Sequence, residues 1–525
     1  MDEPQFVPAQ PRLAASVVLV RRGTTGPEVF WVRRGAALKF AGGFYAFAGG
    51  RVDEADHALP LTMPQGRAQL APDESASLAA AARELFEETG VLAVPNAARV
   101  PLTERESVRT QLTARPSEGK KESSAPLFAQ LLAAHDLRVD ASLFHPAGRW
   151  ITPPSATTRF DTRFYLLELP EGERAEVWPG ELADGEWIAP ARALARWDKA
   201  TALLHPPAWH TLRSLAHTAE RSTDPLAALP LLQNPSRAGW ALPICDFVVE
   251  QVEFQRGVMM VPLLTPTLPP ATHTNCLLLG DDELLIVDPG SPWAGEQALL
   301  ARALDRLEAV GRRARGILLT HHHFDHVAGA MALSHARGLP ILAHRETATR
   351  LERDVRIDRL IEDGDELPYG PRGFRALHLP GHTQGDLCLV ENESGAVIAG
   401  DLVAGGSTVV IDPPDGHMGD YLRSLARLID QAPQTLYPAH GQVLAGGETL
   451  LRGTIAHRLE REAKVLAALM GAGEPSLPSQ LVPAAYAEIS PALHPLAERS
   501  LLAHLLKLVE EGRAAQDAEG RFQIV

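Results

Sequence analysis

The chain has 525 residues, 45% of them hydrophobic and 22% charged, which is too long for one ordinary core and implies two or three domains. Fifty basic against 65 acidic side chains give a formal charge of −15, which excludes a general nucleic-acid-coating role. No apolar run approaches the roughly 20 residues that span a bilayer. The start Met1-Asp2-Glu3-Pro4 has no basic n-region, and Cys245, Cys276 and Cys388 are widely spaced, so a cytoplasmic protein with reduced thiols and no membrane partner is expected.

Residues 14–21 and 29–34 are apolar runs separated by Gly23-Thr24-Thr25-Gly26-Pro27, a hairpin pattern. A strand over 44–48 ends in Gly49-Gly50, and a proline-containing loop follows over 59–72. Asp73 or Ser75 is expected to cap a helix that runs to Thr89 and stops at Gly90. On that helix Glu84, Glu87 and Glu88 stand at i, i+3 and i+4, so three carboxylates share a face. Their mutual repulsion is relieved by a hard divalent cation, Mg2+ or Mn2+, or by simple solvation of an acidic surface.

The string Arg83-Glu84-Leu85-Phe86-Glu87-Glu88-Thr89-Gly90-Val91 resembles the core of the Nudix box, and the resemblance covers about 10–220. It implies that Glu84, Glu87 and Glu88 are metal ligands or the catalytic base, that Arg83 orients them, and that water attacks the phosphorus of a diphosphate. The family's box has a glycine fourteen positions before the arginine and a glutamate eight before it. Here the latter position is Ser75, and Gly49-Gly50 lie further upstream across an insertion. That insertion, with the segments 150–153 and 159–164, is similar to the coenzyme A diphosphatase-like subgroup. Arg159 and Arg163 are then candidates to bind substrate phosphates, and Glu181 is a candidate distal carboxylate. Lys120–Ser124 belong to a polar insertion over 115–126.

Prolines at 225, 230, 235 and 243 mark a linker over 223–243, between a domain at 10–222 and another at 244–450. In the second half strands are expected over 247–252, 259–264, 276–279, 283–288 and 317–319, with a helix over 296–310. The last strand runs into Thr320-His321-His322-His323-Phe324-Asp325-His326, four imidazoles and a carboxylate in six positions, a donor set suited to zinc. Three further strand ends carry His382, Asp401 and His440.

In that order these residues resemble the metallo-β-lactamase fold over about 250–450. The resemblance implies two Zn2+ ions: His321, His323 and His382 on one, Asp325, His326 and His440 on the other, and Asp401 bridging both. Asp325 is thereby also a catalytic residue. Two cations make a nucleophile of water at neutral pH. Asp288 is expected to support the ligands rather than join them. His322, His344 and His378 are read as structural, and His417 and Tyr421 as bordering the substrate.

From 451 onward a helix over 454–469, with His457, Arg458, Arg461 and Lys464 on its polar side, a second over 496–511 and a hairpin over 513–525 are expected. This tail resembles the winged-helix element of the lactamase-beta-2-like subgroup, some of whose members cleave single-stranded RNA. From His457 the chain carries seven basic and nine acidic side chains, which does not describe a phosphate-tracking surface.

The fold class is therefore multidomain α/β: a Nudix α/β/α sandwich, a metallo-β-lactamase αββα sandwich and a small winged-helix-like tail. The expected activity is that of a bifunctional hydrolase. Its first domain would act on nucleotide diphosphates or coenzyme A derivatives, and its second on an ester, thioester or phosphodiester. The alternatives are a nucleotide- or RNA-binding regulator with a non-catalytic Nudix domain, motivated by Ser75, and an endoribonuclease.

Overall fold

The structure is a computed structural model. It describes residues 6–525 apart from 25, 37, 39–40, 64–69, 114–124, 179–180, 236–243, 246–247, 250–251, 352 and 354, so the polar insertion lies almost wholly outside the described residues. The chain forms two compact units, one of Pro4–Met259 and one that begins at Met260.

The first unit is built on one nine-stranded sheet. Its strands are β1 (Arg12–Gly23), β2 (Gly26–Arg34), β3 (Tyr45–Ala46), β4 (Ala48–Arg51), β5 (His145–Ile151), β6 (Phe160–Glu168), β7 (Leu182–Ile188), β8 (Ile244–Cys245) and β9 (Val248–Val249). β1 is central: residues 14–20 are buried throughout, and it pairs parallel to β6 and antiparallel to β2 and β4. A strand covered on both faces needs the continuous apolar run that the sequence supplies.

Helix α1 (Pro72–Thr89) packs on this sheet and is buried on nearly every side, with small side chains, Ala76 and Ala79 to Ala82, that let its neighbours approach closely. It starts earlier than expected. Ala71 is the cap and Pro72, whose φ is fixed by its ring, occupies the first turn, so neither Asp73 nor Ser75 caps it. Gly90 ends the helix at φ 77°, donating to the Phe86 carbonyl at 2.8 Å. β8 and β9 pair with each other and β9 with β5, so the first unit reaches past the expected linker and takes residues 244–245 and 248–249 into its sheet. The prolines do not mark an irregular linker over the described residues: Pro225–Ala228 form a 3-10 turn and Leu229–Leu232 a helical turn, because proline is accepted in the first turn of a helix.

In the second unit, β10 (Val258–Leu264), β11 (His273–Leu279), β12 (Glu283–Val287), β13 (Arg313–Leu319), β14 (Ile341–Ala343) and β15 (Arg359–Leu360) neighbour one another in chain order. β16 (Glu366–Leu367), β17 (Phe374–His378), β18 (Leu387–Glu391), β19 (Ala396–Gly400), β20 (Thr435–Pro438) and β21 (Leu444–Ala445) form a second sheet. The Leu387 amide donates to Thr320 O at 2.9 Å and the Asn275 amide to Ala439 O at 2.7 Å, tying one sheet to the other. Helix α2 (Ala294–Ala309) packs by β13. Helix α3 (Met418–Ile429) packs into the apolar core of the second sheet, with Leu425 and Leu428 fully buried.

The tail holds α4 (Gly447–Ala472), α5 (Pro478–Ala485), α6 (His494–Glu510) and a hairpin of β22 (Ala514–Gln516) and β23 (Phe522–Ile524) around Val465, Leu481, Leu501, Leu505 and Phe522. α4 is longer than expected, and its polar side is not all surface: Arg458 is 3% and Arg461 8% exposed. Apolar spacing alone does not distinguish a solvated arginine from one folded back onto a neighbouring carbonyl.

Candidate metal centres

Residues 317–319 of β13 are fully buried between β12 and β14, which fixes the point where the chain leaves the sheet. The turn after Thr320 carries His321 and His323, and one helical turn, Phe324–Val327, presents Asp325 and His326. β17 leads to His382, β19 to Asp401 and β20 to His440. The structure brings all seven residues together. Donor atoms of His321, His323, His382 and Asp401 lie within 4.8 Å of one another, and those of Asp325, His326 and His440 form a second such group.

Asp401 stands between the groups. One of its oxygens is 3.6 Å from His382 Nε2 and 3.7 Å from His326 Nε2, and the other is 3.4 Å from His440 Nε2. Asp325 is 3.4 Å from His440 Nε2.

The far nitrogens of four imidazoles are anchored. His382 Nδ1 donates to Val410 O at 2.8 Å, His440 Nδ1 to His273 O at 2.9 Å and His326 Nδ1 to Asp288 at 2.9 Å. His321 Nδ1 donates to Thr320 Oγ1 at 3.1 Å, and that hydroxyl donates to Asp288 at 2.6 Å. Each bond fixes the tautomer that turns a bare Nε2 lone pair inward. Asp288 thus supports one histidine of each group, as expected of it. It does so from a left-handed backbone, φ 51°, a strain its three hydrogen bonds hold in place. The turn passes directly beneath Asp325: a Cβ at Gly290 would lie 1.7 Å from the Asp325 carbonyl oxygen.

These residues fit divalent cations. His326 Nε2 and Asp401 Oδ1 are buried with no hydrogen-bond partner among the described residues, in a cluster that supplies only nitrogen and carboxylate donors. Burial and neighbouring imidazoles hold His321 well below its ordinary pKa and His323 at about 3, so both are neutral donors. In the second group burial opposes charge, yet Asp401 and Asp325 raise His440 to about 10, and Asp325, Asp401 and Asp288 raise His326. His326 and His440 in turn hold Asp325 at about 2 against its burial. Protons occupy the place that a cation would take.

His322, His323 and Asp415 form a third close group, but Arg350 holds Asp415 at 2.8 Å and competes with any cation there. His344 and His378 stack at 3.8 Å outside all three groups. Tyr421, expected at the substrate border, is fully buried and donates to Leu402 O at 2.9 Å. His417 caps α3 and reaches Glu510 at 2.8 Å.

In the first unit Arg83 is 1% exposed and surrounded by carboxylates. Its Nε and one terminal nitrogen reach the two Asp56 oxygens at 2.9 Å each. The other terminal nitrogen reaches Glu84 at 2.8 Å and Glu87 at 3.1 Å. Burial would lower its pKa, but Glu84, Asp56 and Glu87 raise it. Glu88 accepts from the Gly49 amide at 2.9 Å, and burial with the neighbouring Glu84 charge raises it to about 8. Gly50 leaves room for Glu84, whose carboxylate would be 2.3 Å from a Cβ there. Glu181, an exposed loop residue, lies close enough to raise Glu88 further.

Asp56 is the residue the sequence reading missed. Counted back from Arg83 the box carboxylate falls on Ser75, but counted forward six places from Gly50 it falls on Asp56, ahead of the insertion. Asp56 is 1% exposed and makes the arginine contact. The missing signal was the forward count. The two arginines proposed for phosphates are otherwise engaged: Arg159 donates to Thr152 O at 3.0 Å and Ala9 O at 2.8 Å, and Arg163 to Glu74 at 3.3 Å. Backbone carbonyls claim Arg159, while Arg163 gives one nitrogen to the half-buried Glu74 on α1 and keeps its buried Nε without a hydrogen-bond partner among the described residues.

Residues 269–440 match the metallo-beta-lactamase superfamily, 478–521 the beta-lactamase associated winged helix domain, and 58–215 the NUDT19 Nudix domain. A hydroxyacylglutathione hydrolase of Acidiphilium cryptum is 31% identical over 219 residues, 40% of this chain and 85% of that protein. The lactamase-like protein notP of an Aspergillus species is 28% identical over 275 residues, 48% of this chain and 82% of the relative. A NUDIX hydrolase structure from Alicyclobacillus acidocaldarius is 28% identical, with a TM-score of 0.36, and covers 43% of this chain and 97% of its own.

Proposed function

We propose, for a chain that belongs to the metallo-β-lactamase superfamily through its second unit and carries a Nudix domain in its first, two separable metal-dependent hydrolyses. The observation that carries the second reaction is Asp401, with oxygens 3.4 to 3.7 Å from histidines of both donor groups. His321, His323 and His382 would hold one divalent cation, Asp325, His326 and His440 the other, and Asp401 both; zinc suits this donor set. Such a pair supplies a water acidic enough to attack at neutral pH and polarises the scissile group. The residues' own work would be to serve as neutral or anionic ligands, His326 and His440 giving up their extra protons as a cation enters, with Asp288, Val410 O and His273 O fixing which nitrogen faces inward.

An acyl thioester is the favoured substrate of this unit, supported by the relative whose name describes acyl-glutathione hydrolysis. RNA is disfavoured by the tail's charges. Of its seven lysines and arginines from His457 on, Arg461, Lys464, Arg499, Lys507, Arg513 and Arg521 are paired with carboxylates, and Arg458 is buried. Phosphates would have to displace these partners one by one.

In the first unit Glu84, Glu87 and Glu88 would hold Mg2+ or Mn2+ on a nucleotide diphosphate or coenzyme A derivative. Asp56 restores the carboxylate whose apparent loss at Ser75 favoured a non-catalytic domain. The test is separability on the full chain, with an acyl-thioester and a diphosphate panel. Glu87→Gln is expected to lower only diphosphate cleavage, and Asp325→Ala only thioester cleavage, each at least a hundredfold. Loss of both activities in either variant, or activity on neither panel in the wild type, refutes the proposal.

A further inference from the structure

The segment between Asp401 and α3 carries no metal ligand, yet it supports two. Val410 O accepts from His382 Nδ1 at 2.8 Å, and Leu402 O, next to Asp401, accepts from the Tyr421 hydroxyl at 2.9 Å. Arg458, on the tail helix α4, stands behind both points. It donates to Val409 O, one residue from the His382 anchor, and its guanidinium lies 5.3 Å from the Tyr421 ring centroid. The side chain is buried, and its Nε has no hydrogen-bond partner among the described residues. A buried cation with incomplete bonding is costly, and packing alone would be served better by an apolar residue. Two further tail contacts hold the same segment from α6: Arg499 to Asp412 at 3.3 Å and Glu510 to His417 at 2.8 Å.

We infer that Arg458 is a positioning residue of the metal centre, through which the winged-helix tail sets His382 and Asp401. The inference rests on the metal-dependent hydrolase reading given above. It makes the tail a buttress of the site rather than an independent binding module. Arg458 touches no reacting atom, so its effect must travel through the Val409–Val410 backbone and Tyr421.

The test uses the full chain loaded with cobalt(II), whose visible spectrum reports ligand geometry, beside metal content after dialysis against a weak chelator and kcat and KM on an acyl thioester. Arg458→Met is expected to keep the wild-type far-ultraviolet dichroism and elution volume while shifting the cobalt bands. One of the two ions should be lost more readily, and kcat should fall about tenfold (about 1.4 kcal/mol) with KM changed less than twofold. Arg458→Lys, which can still reach Val409 O, should recover part of both effects. Arg452→Ala, which removes an exposed pair with Glu448 on the same helix, should change neither.

If Arg458→Met does not fold, Arg458→Lys and Tyr421→Phe decide the matter: altered cobalt bands in folded Tyr421→Phe with a partial shift in the lysine variant support the inference, and wild-type spectra in both overturn it. A folded Arg458→Met variant with wild-type spectrum and kcat overturns it alone. A wild type that takes up no cobalt overturns the metal-centre reading as well.

Discussion

Asp56→Ala is the sharpest probe of the first unit, because the magnitude follows from contacts. The substitution removes two hydrogen bonds of 2.9 Å to Arg83, made between side chains 0% and 2% exposed, and a third of 2.8 Å from the Asp53 amide. Breaking a buried ion pair by deleting one partner costs about 3–5 kcal/mol. Glu84 and Glu87 remain on the other guanidinium nitrogen, so the cation is not left uncompensated and the lower end, about 3 kcal/mol, is expected. In a unit of this size that corresponds to a fall in melting temperature of roughly 6–12 °C. Asp56→Asn keeps the shape and one acceptor and should lose about half as much. Seven of the eight tryptophans, all but Trp293, lie in the first unit, so tryptophan fluorescence during urea unfolding follows it selectively. The released guanidinium should also settle more firmly on Glu84 and Glu87, weakening Mg2+ uptake and diphosphate cleavage. A loss below about 1 kcal/mol with unchanged Mg2+ affinity would refute the assignment of Asp56 to the box.

In chelated protein, His440 near 10 and His326 raised above its ordinary value bind protons more tightly folded than unfolded, so their contribution is full below pH 6.5 and is lost as pH rises toward 10. His440 alone should then cost the second unit about 1.4 kcal/mol per pH unit over that window, with His326 acting in the same direction, and metal should abolish the dependence. Melting curves from pH 6 to 10, with and without chelator, check this; stability that rises with pH in chelator contradicts it. Glu88, raised to about 8, is protonated more readily folded than unfolded, so the metal-free first unit should weaken between pH 4.5 and 8. Glu88→Gln should therefore exceed the wild type in stability at pH 9 but match it near pH 4.5. Urea titrations by tryptophan fluorescence at both pH values decide it.

The metal cluster was legible because its residues are short-range signals: a buried strand, then imidazoles and a carboxylate at fixed offsets. What supports them was less so. Val410 O and His273 O are backbone atoms, and any residue type at those positions could serve. Arg458 read as a surface residue because helical spacing gives only direction, while its burial depends on a segment some fifty residues earlier. Asp56 was obscured by an insertion that shifts one half of a motif against the other. The edge strands β8 and β9 are two residues each, too short to carry alternation, which is why the unit boundary moved.

Asp288 has a consequence for how the second unit takes up cations. One carboxylate accepts from His326 directly and, through Thr320 Oγ1, backs His321, so the two donor groups share a single electrostatic reference. A cation drawing electron density from either imidazole makes its N–H a stronger donor and pulls that carboxylate toward it. The same carboxylate then serves the other group from a changed position. Two cations bound as proposed would therefore be coupled before they shared Asp401, and their loading would be one linked equilibrium rather than two independent ones.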